Sequence, residues 1–244
     1  MGDYFEREWG GEPFELFGTS HVVLLLVVAA VTAAVIVGGR RIAASRRRVI
    51  RRVAAVVLLL NTLGWHAWNI AVGSWHVETM LPLHLCSVLS LVAVVALWTG
   101  HGWLGVATFL LGSPGALQAL LTPEVAPYGF PHYRVLQSWT QHGLLFVAGF
   151  WIVFAEGNRP TFRQTVQVWA ALHALAAATF TINAVIGSNY LFLNGKPDYP
   201  TVLDMLPPWP AYLLVLEALV VVLMLVFWLI GRERGLTPGS RAAS

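Results

Sequence analysis

The 244-residue chain holds one cysteine, Cys86, in the stretch LPLHLC (81–86) at the start of an apolar run. A thiol in apolar surroundings stays protonated and inert unless a base takes its proton. Two histidines are candidate bases. His84 is two residues away, and residues two apart do not share a helical face. Only an extended backbone around Pro82 would bring them together. His142, in SWTQHG (138–143), opens another apolar run, and nothing in the sequence keeps it from Cys86. Ser138 shares its face at i−4 and Gln141 adjoins it. A Cys–His pair suits acyl transfer: the thiolate attacks an ester carbonyl, a thioester forms, and the same imidazole activates an acceptor hydroxyl. The developing oxyanion needs a donor, for which Asn183 or Asn189 is the candidate. On residue types alone, structural roles for one cysteine and several histidines rank ahead of catalysis.

Composition sets the elements that must position this pair. The chain is 57% hydrophobic and 11% charged, against about 25% charged in soluble domains. That balance implies a polytopic membrane protein. Seven apolar runs, near 20–38, 51–72, 82–99, 103–121, 138–155, 166–187 and 211–230, are long enough to cross about 30 Å of hydrocarbon. Each should be helical, because backbone groups in lipid must be satisfied internally. The expected fold class is therefore an all-α membrane protein of seven transmembrane helices. Residues 20–230 form one domain, preceded by an extracytoplasmic segment, 1–19. A disordered cytoplasmic tail, 231–244, follows. The acidic, aromatic N-terminus lacks the positive leader of a signal peptide, so the first run is expected to be retained. One cysteine excludes an intramolecular disulfide and any multi-cysteine metal site.

Charge orients the bundle. Of 15 basic residues 14 are Arg, and seven of these lie between Arg40 and Arg52. If the N-terminus is outside, the inner segments hold twelve Lys or Arg, and the outer side holds Arg7, Arg134 and Lys196. The positive-inside rule then puts the N-terminus outside and the C-terminus in the cytoplasm, with a bacterial plasma membrane as the setting. The basic residues form a membrane-flanking loop, so nucleic acid is excluded as a partner.

In this orientation His66, His76, His84, His132 and His142 gather at the outer side, where a substrate pocket is expected. His101 falls inside and His173 in the inner half of the sixth run. Asn61, Trp65 and Asn69 share one face of the second helix, either lining a cavity or bridging helices. The fourth run contains Gly112-Ser113-Pro114-Gly115, read as a broken or kinked helix, with Gln118 on its outer half. Lys196 and Arg134 are candidates for a phosphate head group. Glu217, a lone carboxyl in the outer half of the last run, marks either a proton path or a hydrogen-bonded acid. A metal site among His76, Glu78, His84, His132 and His142 ranks below acyl chemistry, since their spacing matches no strong motif.

Four blocks in order, LPLHLC, GSPGALQALLTP, FPHYRVLQSWTQHG and NYLFLNGKP, resemble the bacterial YwaF-like integral membrane family from about Asn61 to Pro210. That family is related to eukaryotic multi-span proteins that transfer polyunsaturated acyl chains to lyso-ether phospholipids, and more distantly to threonine–histidine membrane hydrolases. The resemblance implies Cys86 as nucleophile and His142 as the essential histidine. On this reading the protein is a cofactor-independent acyltransferase or lipid esterase whose partners are membrane lipids. His84, Asn61, Asn69, Gln118, Asn183 and Asn189 shape its pocket, and Arg134 and Lys196 hold the head group. The rival reading is a small-solute transporter or channel using Glu217 and the broken fourth helix. A third is a lipid-binding or assembly protein without turnover. The lipid, the reaction direction and the oligomeric state stay open.

Overall fold

The computed structural model describes residues 4–197 and 201–233, and among these every regular element is helical. Seven helices are α1 (Thr19–Gly38), α2 (Ala44–Ala71), α3 (Leu85–Thr99), α4 (Gly102–Leu121), α5 (Tyr133–Ala155), α6 (Phe162–Ile186) and α7 (Ala211–Gly231). A single turn, Val77–Met80, precedes α3, and short 3-10 turns at Tyr190–Phe192 and Val202–Met205 join α6 to α7. Six of the seven helices are long and apolar enough to cross a membrane. The exception is α3. Its 15 residues rise about 22 Å, short of a full crossing.

The third apolar run becomes helical three residues later than its hydropathy suggests, and the reason is local. Pro82 forces Leu81 out of the helical region (φ −62, ψ 145), and His84 is still extended (φ −70, ψ 148). The exposed backbone of this stretch is served by a side chain: the Leu81 N–H donates to the Tyr190 hydroxyl at 2.8 Å, which itself donates to the Val77 carbonyl. α3 stops at Gly100, whose φ of 80° suits a residue without Cβ. Elsewhere helices outrun their apolar stretches. α2 starts among its arginines at Ala44, and α5 starts at Tyr133, where His132 Nδ1 accepts from the Arg134 N–H at 3.1 Å.

The fourth helix is continuous, not broken. Residues Thr108–Gly112 form a π turn, in which the Ser113 N–H reaches the Thr108 carbonyl. This wider turn lies directly before Pro114, which has no N–H to give to the helix ladder. α4 and α5 are the most enclosed helices and α6 and α7 the least. The core is built where α3, α4 and α5 meet, with α1 and α2 packed against α5 and α2 also against α3. Association in lipid depends on close packing and small residues. Gly149 of α5 is such a place: Ser113 Oγ occupies the position of its missing Cβ, and the Phe109 Cα would stand 2.9 Å from it.

The N-terminal segment lies across the end of the bundle where α2 finishes and α5 begins. Four consecutive carbonyls accept hydrogen bonds: Tyr4 from the Tyr133 N–H, Phe5 from Trp68 Nε1, Glu6 from His132 Nε2 and Arg7 from the Tyr128 hydroxyl. Phe14 donates its N–H to the Tyr128 carbonyl at 3.2 Å. The expected tail falls mostly outside the described residues: Gly231 still belongs to α7, and 234–244 are not described.

Gly149→Ala tests the close packing of α4 on α5. A Cβ there must displace backbone, so reversible unfolding in detergent should show a loss of about 1–3 kcal/mol. An unchanged midpoint would show that the helices can separate freely at this point.

Candidate functional site

Cys86 and His142 occupy the same layer of the three-helix core. One turn below them, Gly112 of α4 lies between Leu89 of α3 and Leu145 of α5; a Cβ on Gly112 would be 3.7 Å from Leu89 Cβ and 3.0 Å from Leu145 Cδ1. Stepping one turn toward the N-terminal ends of α3 and α5 leads to Cys86 and His142. The same step along antiparallel α4 leads to Gly115. A Cβ on Gly115 would be 3.6 Å from Cys86 Sγ, so this glycine keeps the face of the thiol open. Ser90, one turn along α3 from Cys86, accepts at Oγ from Nε2 of Gln141 at 3.3 Å, beside His142. Both Cys86 and His142 are half-buried. Among the described residues no hydrogen bond joins the two.

The imidazole is held in one tautomer. His142 Nδ1 lies 2.9 Å from the Ser138 carbonyl, which can only accept. Nδ1 therefore carries the proton and Nε2 the lone pair, as a general base requires. Ser138 Oγ is 3.3 Å from the same nitrogen. The thiol has a second asset. Cys86 lies in the first turn of α3, whose N-cap, His84, makes no side-chain cap. The first helical bond there runs from the Val88 N–H to the His84 carbonyl. The N–H groups of Leu85, Cys86 and Ser87 thus have no acceptor among the described residues, and the thiol belongs to the turn that carries the positive end of the helix. Such donors suit a thiolate or an oxyanion.

The other sequence candidates fall into separate groups. Asn61 Nδ2 donates to the Gln137 carbonyl at 3.1 Å, and Gln137 Nε2 donates to Gln141 Oε1 at 2.9 Å. Arg134 donates to Gln137 Oε1 at 3.3 Å and to the Glu124 carbonyl at 2.7 Å, and lies over the Trp65 ring. Asn61 and Arg134 thus share one polar ladder, which continues through Gln137 and Gln141 to Ser90 and runs along α5 beside His142. Gln137 and Ser90 were missed by sequence reasoning, although i, i+4 spacing to Gln141 and from Cys86 marks them. Asn69 works within α2 and its end, bonding the Trp65 carbonyl and Ser74. Gln118 is exposed and bonds Thr122 one turn on.

His84, Asn183, Asn189 and Lys196 gather around the Tyr190 turn. The His84 ring packs 5.2 Å from both Tyr190 and Phe192. Asn183 is buried, donates to the Tyr190 carbonyl at 3.0 Å and accepts from its N–H at 2.9 Å. Asn189 donates to the Gly195 carbonyl, and Lys196 Nζ to the Leu206 carbonyl at 2.7 Å. These three hold loop backbone.

Glu217 is partnered too. It accepts from Trp169 Nε1 at 2.7 Å, and its second oxygen lies 3.4 Å from His173 Nε2. His173 Nδ1 lies 2.9 Å from the Trp169 carbonyl, to which it donates. The sequence puts these residues at different depths, and the structure brings them together between α6 and α7. His21, which sequence reasoning left unplaced, is fully buried and ties α1 to α4 through the Leu120 carbonyl. Among the described residues no three His, Cys, Asp or Glu side chains converge on a common metal position.

These features define a polytopic helical membrane protein with a polar layer set into its core. The chain belongs to the TMEM164 family, whose pattern matches residues 16–228, from just before α1 nearly to the end of α7. No curated protein and no solved structure matches it.

His132 provides a pH test at the edge of this region. Burial, and next the nearby Arg134 charge, lower its pKa, while the bond to the Glu6 carbonyl opposes them. Nδ1 already accepts from Arg134, so protonation breaks the cap of α5. The unfolded chain binds the proton more readily, so this contribution to stability is present above about pH 6.5 and is lost as pH falls below it. The protection factors of residues 4–14 in hydrogen exchange should fall between pH 7.5 and 5, and His132→Gln should flatten that dependence.

Proposed function

We infer that the chain is a membrane-embedded acyltransferase or lipid esterase, with Cys86 as nucleophile and His142 as general base. The observation that carries this reading is the shared layer: a thiol on a helix N-terminus with open amides, an imidazole with its lone pair on Nε2, and a glycine, Gly115, against the thiol. The family relationship suggested by LPLHLC and SWTQHG points the same way. His142 Nε2 takes the thiol proton, and Sγ attacks the acyl carbonyl carbon of an ester. The N–H groups of Cys86 and Ser87 steady the oxyanion. As the ester C–O bond breaks, His142 returns the proton to the leaving alkoxide, and a thioester remains on Cys86. A second hydroxyl, from a lipid or water, gives its proton to Nε2 and attacks the thioester, which frees the thiol.

His84 borders the Cys86 layer on the side toward the α6–α7 connection, and Gln118 follows Gly115 by three residues as an exposed side chain near the end of α4. Asn61 and Arg134 feed the polar ladder behind His142. Asn69, Asn183, Asn189 and Lys196 act on the pocket through the loops they hold. The arginine bias supports an N-terminus outside a bacterial plasma membrane, seven crossings with α3 completed by the extended LPLH segment, and a site opening to the outer leaflet.

Purified protein incubated with a phospholipid carrying a fluorescent acyl chain should acquire hydroxylamine-labile label. Cys86→Ala should abolish it, and His142→Ala should slow it about 100-fold or more while the fold, followed by circular dichroism, is retained. Label that survives in Cys86→Ala, or a well-folded protein that neither labels nor turns over any of a panel of phospholipid acyl donors, sinks this reading.

A further inference from the structure

At the opposite end of the bundle an open pocket of about 570 Å³ lies where α5 gives way to α6, beside the last turn of α7. Its wall includes Arg159, Phe162, Trp228, Arg232 and Glu233. Arg159 donates to the Gly231 carbonyl at 3.1 Å and lies over the Phe154 ring, and Arg232 lies over Trp228. A third guanidinium closes the edge: Arg40 donates to the Phe154 carbonyl, and its Nη2 would stand 3.0 Å from a Cβ on Gly157, another wall residue. Among the described residues the ion pairs are Arg47–Glu156 and His173–Glu217, so Arg40, Arg159 and Arg232 have no carboxylate oxygen within 4.0 Å. Burial, and then the like charge of Arg40, disfavour the Arg159 cation, and Glu233 offsets them in part.

Three guanidinium groups facing one carboxylate call for an anion. The floor calls for hydrocarbon. Phe162 meets Trp228 edge to face at 5.5 Å and is 57% exposed, and Leu229 and Ile230 continue an exposed apolar surface along α7. A cationic rim over an apolar floor at the end of two spanning helices matches a phosphate attached to acyl chains. Guanidinium groups favour phosphate through planar, paired hydrogen bonds.

We propose that this pocket binds the phosphate of an anionic glycerophospholipid in the leaflet at the α5–α6 end. Arg40, Arg159 and Arg232 face the phosphate, and Phe162 and Trp228 lie beneath an acyl chain. The site is separate from the Cys86 layer and does not depend on its chemistry.

The test is titration of the purified full chain with dioleoyl phosphatidylglycerol, dioleoyl phosphatidylcholine and glycerol phosphate, read by native mass spectrometry. Wild type should retain phosphatidylglycerol over phosphatidylcholine, and glycerol phosphate should not displace it. Arg232→Gln and Arg40→Gln should each weaken phosphatidylglycerol about fivefold, the loss of one cation at an anionic surface, without lowering the melting temperature. Either variant suffices if the other fails to fold. Arg48→Gln removes an equal charge from an exposed position near the start of α2 and should leave binding within about twofold. An equal loss in Arg48→Gln reduces the effect to general surface charge and overturns the site. Equal retention of the two lipids, or displacement by glycerol phosphate at equal affinity, overturns the lipid assignment.

Discussion

The arrangement around Cys86 depends on how closely α4 can lie between α3 and α5. In lipid no hydrophobic force draws helices together, so contact distance and complementarity do the work. Gly112, Gly115 and Gly149 each remove a side chain at the point where a neighbour's atoms stand. Ser113 fills the space at Gly149 and donates to the Phe146 carbonyl across the interface. The π turn just before Pro114 contributes in a different way. A π turn inserts one residue into the helix, which rotates everything after it by about 100°. Beyond it, Gly112 and Gly115, three residues apart on one face, lie against Leu89 and Leu145 and against the thiol respectively.

The polar groups follow a second constraint. Buried donors and acceptors at membrane depth need partners within the protein. The ladder from Asn61 through Gln137 and Gln141 to Ser90 satisfies side chains of α2, α5 and α3 against one another. Glu217 is satisfied by Trp169 and His173. Asn183 supplies the hydrogen bonds that a loop at the end of α6 needs. In each case a residue that looks like a site candidate in isolation has a structural occupation. Cys86 stands apart, since its first-turn amides remain open.

Hydropathy made much of the fold legible. The seven apolar runs correspond to seven helices, and the charge-rich start of α2 and the polar start of α5 explain where the helices exceed the runs. The third helix is shorter than its run because Pro82 acts on backbone geometry, to which an apolar scale is blind. The irregularity in α4 was legible as a proline between glycines, but its form as a π turn within a continuous helix was not, because that depends on one carbonyl finding a donor five residues on. The gathering of Cys86 and His142 on one layer follows from helix order and register, which the sequence states only indirectly. The Tyr190 turn was the least legible part. Asn183, Asn189 and Lys196 bond to backbone carbonyls, and a carbonyl's position leaves no mark in residue types.

The departure at LPLHLC bears most directly on chemistry. Had the helix begun at Pro82, as the apolar run suggests, the Cys86 N–H would bond to the Pro82 carbonyl inside a regular turn. The thiol would then lie beside a satisfied backbone, with no donor for developing charge. The extended Leu81–His84 stretch, held by Tyr190, moves the helix start to Leu85 and leaves the amides at Cys86 and Ser87 open. It also turns His84 toward Tyr190 and Phe192, leaving His142 as the imidazole in the thiol's layer. Proline at this position thus sets both the open amides beside the thiol and the imidazole that shares its layer, and it does so by delaying the start of a helix that the apolar run alone would begin three residues sooner.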